Sequence, residues 1–302
     1  MQHLLTLQNL SQQELVQLLT LARTIKADPR AYRHALAGKS VVMLFEKPSL
    51  RTRVSFDIGI NKLGGHCLYL DQQNGQLGQR ESVADFASNL SCWADAIVAR
   101  TYSHQTIEEL AAHSKVPVIN ALSDLYHPCQ ALADLLTLTE CFEDVSKVTL
   151  AYVGDGNNVT HSLMFGAAIL GAKMVVVCPA GHFPDGQMVV KAQALAKANG
   201  GELILSSDTK ALVGCQVIYT DSWISMGDNT PLAQIEAKFG PYQVNSDLMT
   251  MTGADYFMHC LPAHRGVEVT DDVLDGKSSL ILQQAENRMH AQNALLVALL
   301  AQ

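Results

Sequence analysis

The sequence predicts an α/β protein with two doubly wound parallel-sheet domains joined by helices. Short apolar runs rich in Val and Ile alternate with helical patterns, as is typical of parallel sheets covered by helices on both faces. The runs form two series, separated by the helical run "CQALADLLTLTECF" at 129–142. Polar residues directly follow several runs, where open parallel sheets bind their ligands.

The elements can be placed in order. A helix opens the chain, because Ser11 and Glu14 fit a capping box and apolar residues then recur at helical spacing. An amphipathic helix closes the chain over 285–302. We place one domain at 1–140, with the terminal helix 286–302, and the other at 141–285. The predicted strands are 40–45, 66–71, 95–100 and 116–121 in the first domain, and 148–155, 173–180, 202–207, 216–221 and 256–262 in the second.

The composition disfavours several classes of protein. The 302 residues carry a net charge of −8, whereas nucleic acids and anionic membranes require a basic face. The seven cysteines are an odd number without a C-x-x-C pair, which disfavours a disulfide framework and a zinc site. No signal-peptide pattern occurs, and no run approaches the ~18 apolar residues of a membrane span. We expect a cytoplasmic enzyme with reduced thiols.

The stretch "PSLRTRVSFD" at 48–57 indicates an anion site. It follows a predicted strand and begins a helix, where outward-facing N–H groups favour negative charge. Arginine adds paired donors for phosphate oxygens. An alternative is a solvated first turn whose arginines pair with Glu46 or Asp57.

Another helix entrance, "LYHPCQALADLL" at 125–136, carries His127 and Gln130 about one helical turn apart. An imidazole and an amide at this spacing could hold a polar carbonyl group from two sides. A lone histidine is also often a satisfied structural residue, and that alternative stays open.

The turn "YVGDGNN" at 152–158 resembles a dinucleotide fingerprint only in part. Gly154 and Gly156 match its first two glycines, but Val159 occupies the third position and no acidic residue closes the next strand. Asn157 and Asn158 could instead face a ligand.

Three later residues extend the pattern. Asp221 lies at the end of a predicted strand, where its carboxylate suits an ammonium group. Cys260 follows the last strand, and a buried structural thiol is the alternative there. Arg288 is predicted at the start of the final helix, where the alternative is a surface ion pair.

Together these motifs resemble the ornithine carbamoyltransferases of the aspartate/ornithine carbamoyltransferase superfamily. The order F-x-K-P-S-x-R-T-R, H-P-C-Q, D-x-W-x-S-M-G, H-C-L-P spans the chain. The first motif is similar to that of all carbamoyltransferases, and the others to the ornithine branch. The resemblance implies transfer of the carbamoyl group of carbamoyl phosphate to L-ornithine, giving citrulline and phosphate, without a metal or organic cofactor. It also implies that the terminal helix packs back on the first domain.

The resemblance implies a role for each matching residue. The residues that it implies are catalytic are Arg51, Arg100, His127, Asp221 and Cys260. Carbamoyl phosphate would contact Ser49, Leu50, Arg51, Thr52, Gln76, Arg100, His127, Gln130, Cys260, Leu261 and Arg288. Ornithine would contact Asn158, Asp221, Ser225 and Met226, with the Cys260 thiol near its side-chain amine. Gln76 matches a residue that this family lends to the neighbouring subunit's site, so a homotrimer or a multiple of trimers is implied.

One position departs from the family pattern. The family usually has S-T-R-T-R, whereas this chain has Leu50 in the second place. The backbone N–H remains, but losing a hydroxyl donor would weaken phosphate binding by about 0.5–3 kcal/mol.

Other functions compete with this interpretation. A carbamoyltransferase could use putrescine, acetylornithine or aspartate, although Ser225-Met226-Gly227 favours an α-amino acid with a free α-amine. A nucleotide-dependent oxidoreductase would require the glycine that Val159 replaces. A catalytically inactive binding protein with this fold is the third alternative.

Overall fold

The computed structural model describes residues 1–71, 77–78, 81–223 and 230–301. The chain divides into two compact units. The first unit comprises Met1–Leu136 and Asn287–Gln302, and the second comprises Thr137–Glu286. The domain limits of 140 and 285 stay a prediction. Among the described residues, no helix has the length and apolar character needed to cross a bilayer.

The first unit is built on a four-stranded parallel sheet in the order β2-β1-β3-β4. Because β1 lies between β2 and β3, the chain reverses its direction of winding there, and a crevice opens beyond the carboxyl ends of β1 and β3. The strands are β1 (Ser40–Phe45), β2 (His66–Leu70), β3 (Ala96–Arg100) and β4 (Val118–Leu122). The helices are α1 (Gln12–Ala27), α2 (Leu50–Lys62), α3 (Val83–Leu90), α4 (His104–His113), most of α5 (Pro128–Cys141) and most of α11 (Ile281–Leu300).

The second unit contains a five-stranded parallel sheet in the order β7-β6-β5-β8-β9. The equivalent crevice lies beyond the carboxyl ends of β5 and β8. The strands are β5 (Thr149–Val153), β6 (Lys173–Val177), β7 (Glu202–Ser206), β8 (Val217–Thr220) and β9 (Tyr256–His259). The helices include α6 (Asn158–Leu170), α7 (Gly186–Ala198), α8 (Leu232–Phe239), α9 (Ser246–Thr252) and α10 (Asp271–Leu274).

Both sheets follow from the apolar runs. Every residue of β3 is buried, and so are the last four residues of β5, which is why the runs read as continuous rather than alternating. The predicted fold class is therefore confirmed. The capping box of α1 is also present, since Ser11 Oγ accepts from Glu14 N and Glu14 Oε2 accepts from Ser11 N.

The start of the last helix was predicted wrongly. The helix begins at Ile281 rather than at 285, because Leu280 and Ile281 are buried and Gln284 N already donates to Leu280 O. Arg288 consequently lies in the helix interior and not at its start. This places its side chain within the first unit rather than on an exposed helix end.

Candidate active site

The start of α2 leaves backbone donors available for an anion. Ser49 caps the helix, accepting from Thr52 N at 3.3 Å and donating to Thr52 Oγ1 at 2.9 Å. The first turn carries no acidic side chain. Because the first N–H groups of an α-helix have no acceptor within the helix, this end attracts negative charge.

The two arginines of this turn have different surroundings. Arg53 lies over the ring of Tyr69, with its guanidinium carbon 3.9 Å from the ring centroid. Arg51 is exposed, and within the described part of the chain no carboxylate pairs with it. Glu46, considered above as its partner, is buried and accepts from Tyr102 N at 2.9 Å. Glu46 is therefore engaged with the backbone of another segment.

Arg100 is a buried cation at the end of β3. It pairs in register with Phe45, the last residue of β1, so it borders the same crevice as α2. Its side chain is 3% exposed, and its Nε has no hydrogen-bond partner among the described residues. Burial, and after it the nearby charge of Arg288, lower the pKa of its guanidinium to about 10. An anion would relieve both effects.

Arg288 connects three segments of the first unit. Its Nη2 donates to Thr52 Oγ1 at 3.3 Å, and its Nη1 donates to Gln130 Oε1. Gln130 is fixed in turn, because its Nε2 donates to Asp134 Oδ1 at 2.7 Å. The side chains from α2, α5 and α11 thus meet around one guanidinium.

His127 is held as a neutral imidazole in this cationic environment. It lies between β4 and α5 and is buried. Burial lowers the pKa of its ring well below the ordinary value, and the charges of Arg288 and Arg100 act in the same direction. A neutral imidazole beside two guanidinium groups can hydrogen-bond an uncharged carbonyl or amide without adding charge.

In the second unit, Asp221 is the central charged group. It follows β8, and three donors already hold its carboxylate: Asn157 Nδ2 at 2.9 Å, Ser222 N at 2.8 Å and Cys260 Sγ at 2.8 Å. These contacts come from segments that follow three neighbouring strands, β5, β8 and β9. They fix the carboxylate at the crevice between β5 and β8.

Asn157 and Asn158 have separate positions. Asn157 caps α6, since its Oδ1 accepts from Val159 N at 2.9 Å while its Nδ2 holds Asp221. Asn158, the predicted ornithine contact, follows Asn157 in the chain. It is the first residue of α6 and is half-buried.

The nucleotide alternative does not fit this turn. A Cβ built on Gly156 would lie 2.3 Å from Pro184 N and 2.6 Å from the carbonyl carbon of Phe183. The backbone that a dinucleotide site must expose to pyrophosphate is thus covered by the segment 182–184.

The segment after β9 is held by a buried pair. Leu261 adopts a φ of 59°, a region that branched residues seldom enter, and its N–H donates to His259 Nδ1 at 2.8 Å. His259 Nε2 in turn lies 3.2 Å from Glu268 Oε1, and both side chains are fully buried. This pair fixes the backbone of Cys260 and Leu261.

Asp221, His259 and Cys260 bring three potential metal ligands within 4.8 Å of one another, the one such group found in the described ranges. Both ring nitrogens of His259 and both carboxylate oxygens of Asp221 are engaged in the hydrogen bonds above. A metal ion would have to displace these contacts.

Two family models together match nearly the whole chain. Residues 2–140 match the carbamoyl-P binding domain of the aspartate/ornithine carbamoyltransferases, and residues 146–299 match their Asp/Orn binding domain. This chain belongs to the aspartate/ornithine carbamoyltransferase family. The resemblance seen in the sequence is confirmed, and so is the predicted enzyme class, a carbamoyltransferase.

Individual carbamoyltransferases show how close the similarity is. The ornithine carbamoyltransferase of Shewanella oneidensis is 74% identical over 99% of both chains. That of Vibrio sp. (strain 2693) is 60% identical over 99% of this chain and 100% of the relative. The solved structure of the Pyrococcus furiosus ornithine carbamoyltransferase has a TM-score of 0.96 at 46% identity, covering 99% of this chain and 97% of that one.

Within this carbamoyltransferase, the structure brings the predicted residues into two groups. Ser49, Thr52, Arg100, His127, Gln130 and Arg288 gather in the first unit, with Arg51 exposed on the same turn of α2. Asp221 and Cys260 are in contact in the second unit. Gln76, Ser225 and Met226 lie outside the described residues.

Sequence reasoning missed three supporting residues. Asn157 was considered only as a ligand contact, although the residue before a helix is a usual cap and its second amide atom was available. His259 and Glu268 were not singled out at all. An acidic residue soon after a histidine gives no signal of its own, because only the loop geometry brings the two together.

Proposed function

We propose that this chain transfers the carbamoyl group of carbamoyl phosphate to the side-chain amine of L-ornithine, giving L-citrulline and phosphate. The observation that carries the proposal is the pair of buried arginines, Arg100 and Arg288, close enough for one to lower the pKa of the other. Two buried like charges, one of which lowers the pKa of the other, favour the binding of an anion. The ornithine carbamoyltransferases that match along the whole chain support ornithine as the acceptor.

Carbamoyl phosphate is assigned to the first unit. Ser49, Leu50 and Thr52 offer hydroxyl and backbone donors at the start of α2, and Arg51 and Arg100 offer guanidinium donors to the phosphate. His127, Gln130 and Arg288 are assigned to the carbamoyl end, together with the backbone of Cys260 and Leu261. Gln76 is assigned to the phosphate of a neighbouring subunit.

Ornithine is assigned to the second unit. Asp221 supplies the carboxylate for an ammonium group, and Asn158 directly follows Asn157, whose amide donates to that carboxylate. Ser225 and Met226 are assigned to the amino-acid end by their motif. Cys260 Sγ donates to Asp221, so the thiol lies where the side-chain amine would approach the same carboxylate.

The reaction is a substitution at the carbonyl carbon. Ornithine's δ-ammonium, with an ordinary pKa near 10.4, first loses a proton, for which Asp221 and Cys260 are the nearest aids. The amine nitrogen then forms a bond to the carbamoyl carbon, and the carbonyl electron pair moves to oxygen. When that pair returns, the bond from carbon to the phosphate oxygen breaks, and phosphate leaves with its electrons and takes up the second proton that the attacking nitrogen loses. Nothing is oxidised or reduced, and the proposal assigns no cofactor.

The arginines act most strongly on the developing charge. The donors assigned to the oxyanion and to the departing phosphate are Arg51, Thr52, Arg100, His127 and Arg288, and such fixed donors are worth several kcal/mol. Orientation of two bound substrates supplies much of the remaining acceleration.

We further propose a homotrimer, or a multiple of trimers, in the cytoplasm. Leu50, Val54 and Ile58 recur every fourth residue on α2 and are 77%, 44% and 47% exposed, so they form one apolar stripe. Such a stripe on the helix that carries the phosphate residues supports an interface close to the site.

Product analysis tests the acceptor. Carbamoyl phosphate is offered with ornithine, putrescine, acetylornithine or aspartate in turn, and each product is identified by mass. We expect citrulline from ornithine and at least a hundredfold lower kcat/KM for the others, since each lacks an ionic or hydrogen-bonding group that the site holds. A higher kcat/KM with any other acceptor would overturn the assignment of ornithine.

Subunit mixing tests the shared site. Gln76→Ala and Arg51→Ala proteins, each impaired but assembled, are mixed through mild denaturant and dilution. Activity should reappear, because some sites then combine an intact Arg51 with an intact Gln76 from the neighbour. Absence of recovery in demonstrably mixed oligomers would contradict the shared site.

A further inference from the structure

We propose that His182, which no motif of the family resemblance includes, is a positioning residue for the Asp221 carboxylate and thereby tunes ornithine binding. The inference rests on the proposed function, because it assigns Asp221 to ornithine. His182 lies in the segment between β6 and α7. It contacts the turn after β5 and an aromatic cluster, and each of these in turn contacts Asp221 or the residues next to it.

The first connection runs through the turn after β5. His182 Nδ1 lies 2.9 Å from Asp155 Oδ1, and the His182 carbonyl accepts from Gly156 N at 2.9 Å. The next residue, Asn157, donates to Asp221. A further hydrogen bond holds the turn, since the Asp155 carbonyl accepts from the Tyr152 hydroxyl at 2.8 Å. Moving His182 would release the turn that carries the Asp221 donor.

The second connection runs through aromatic rings. The His182 ring meets that of Phe239 on α8 edge to face, with centroids 4.7 Å apart. Phe239 stacks on Trp223 at 5.3 Å, and both are buried in one cluster with Ile235. Trp223 comes two residues after Asp221 in the chain. These contacts therefore support the segment that follows the carboxylate.

One tautomer of His182 serves both connections. Lys238 Nζ lies 2.8 Å from His182 Nε2, and an ammonium group can only donate. Nε2 must therefore accept, so the proton is on Nδ1 and is donated to Asp155. An oriented ring thus joins α8 to the turn after β5.

Close backbone packing at Gly156 holds the segment 182–184 against the turn after β5. Gly156 has no space for a Cβ because the backbone of Phe183 and Pro184 lies against it. The segment 182–184 and the turn are consequently fitted backbone to backbone. This backbone fit holds the His182 side chain against Asp155, so a change at the side chain removes a contact to the turn itself.

Steady-state kinetics of His182→Ala test the proposal, with His113→Ala as a matched control at an exposed histidine of the first unit. We expect the KM for ornithine to rise about tenfold in His182→Ala, which corresponds to ~1.4 kcal/mol. The KM for carbamoyl phosphate should change by less than about twofold, since coupling falls off with distance and with the absence of shared partners. The control should match wild type in both.

Two partial replacements separate the connections. His182→Phe keeps the ring against Phe239 but loses both polar contacts, and His182→Asn keeps a donor for Asp155 but loses the ring. Each should raise the KM for ornithine by roughly threefold, and Asn157→Ala should add little to His182→Ala, because both changes act through the same carboxylate.

The outcomes are distinguishable. If wild type forms no citrulline, the proposed function fails before any variant is compared. If wild type is active and His182→Ala keeps its KM for ornithine, the positioning role is overturned. It is also overturned if both KM values rise equally along with a lower unfolding midpoint in His182→Ala and His182→Asn, because that pattern indicates general destabilisation.

Discussion

The crevices of the two sheets carry side chains of opposite charge in different surroundings. Beyond β1 and β3, Arg100 and Arg288 are buried near each other, and the pKa of Arg100 is lowered. Beyond β5 and β8, the Asp221 carboxylate is already held by an amide, a backbone N–H and a thiol. Both sites occupy the same topological position, yet the first gathers buried positive charge, whereas the second surrounds a carboxylate with donors.

The difference indicates whether the charge in each site is balanced before or only after the ligand binds. Buried cations that repel one another lower the stability of the free protein. An anion that binds between them removes this repulsion, and the gain appears as binding free energy. A carboxylate with three donors is preorganised, and its ligand adds a contact without changing the local charge balance as much. We therefore expect mutations to separate binding from stability in the first unit and to couple them in the second.

The largest effect is expected from Arg100→Met. Removing two charge-assisted hydrogen bonds to phosphate should lower kcat/KM by roughly 10²–10⁴-fold. The free energy of unfolding of the free protein should stay the same or increase, because one of two repelling buried cations is gone. Kinetics and urea unfolding measure the two quantities. Arg53→Met is the control, since Arg53 packs on Tyr69, and it should keep kcat/KM within about threefold.

Asp221→Asn should couple the two quantities instead. The new amide cannot accept from all three donors, so the free energy of unfolding should fall by about 1–3 kcal/mol. The KM for ornithine should rise strongly while that for carbamoyl phosphate stays near wild type. Unchanged stability would show that the three contacts to Asp221 contribute nothing to the fold.

His127 gives the comparison a pH dependence. Its pKa is lowered in the folded protein, so the unfolded chain binds the proton more readily. The free energy of unfolding should therefore be unaffected by this group above pH ~6.5 and should decrease as the pH falls below it. His127→Gln should show a shallower decrease between pH 7 and 5 in urea unfolding. The other histidines are common to both proteins and cancel. Parallel pH curves would contradict the buried neutral imidazole.

The smallest effect is expected at Leu50. Its side chain is exposed on α2, so Leu50→Thr should change the free energy of unfolding by less than about 0.5 kcal/mol. The restored hydroxyl should lower the KM for carbamoyl phosphate by up to about tenfold or leave it unchanged. A large increase in KM would mean that Leu50 has a binding role that its exposure does not reveal.

The sequence was most informative about what lies at strand ends. The limits of β1 were predicted at 40–45 because a buried parallel strand is a continuous apolar run bounded by polar residues. Asp221 was found for the same reason, since it directly follows such a run, whereas Arg100, the last residue of its strand, was assigned through the family resemblance. The position of a strand along the chain is a local property, and local patterns predict it.

What could not be predicted depends on contacts across the sheet. The contact of Asn157 with Asp221 joins residues 64 positions apart, and that of Arg288 with Gln130 joins residues 158 apart. No local pattern encodes which of two adjacent asparagines turns toward a neighbouring strand. His182 is a further example, because its partners Asp155, Lys238 and Phe239 lie on three different segments.

Calorimetric titration with inorganic phosphate, a stable probe of the anion site, tests the central claim most directly. Wild type, Arg100→Met and Asp221→Asn are compared without ornithine. We predict that Arg100→Met weakens phosphate binding at least tenfold, because two charge-assisted hydrogen bonds are lost, and that Asp221→Asn leaves the Kd unchanged within about twofold. Equal weakening in both variants, or wild-type affinity in Arg100→Met, would contradict an anion site formed by the buried arginines of the first unit.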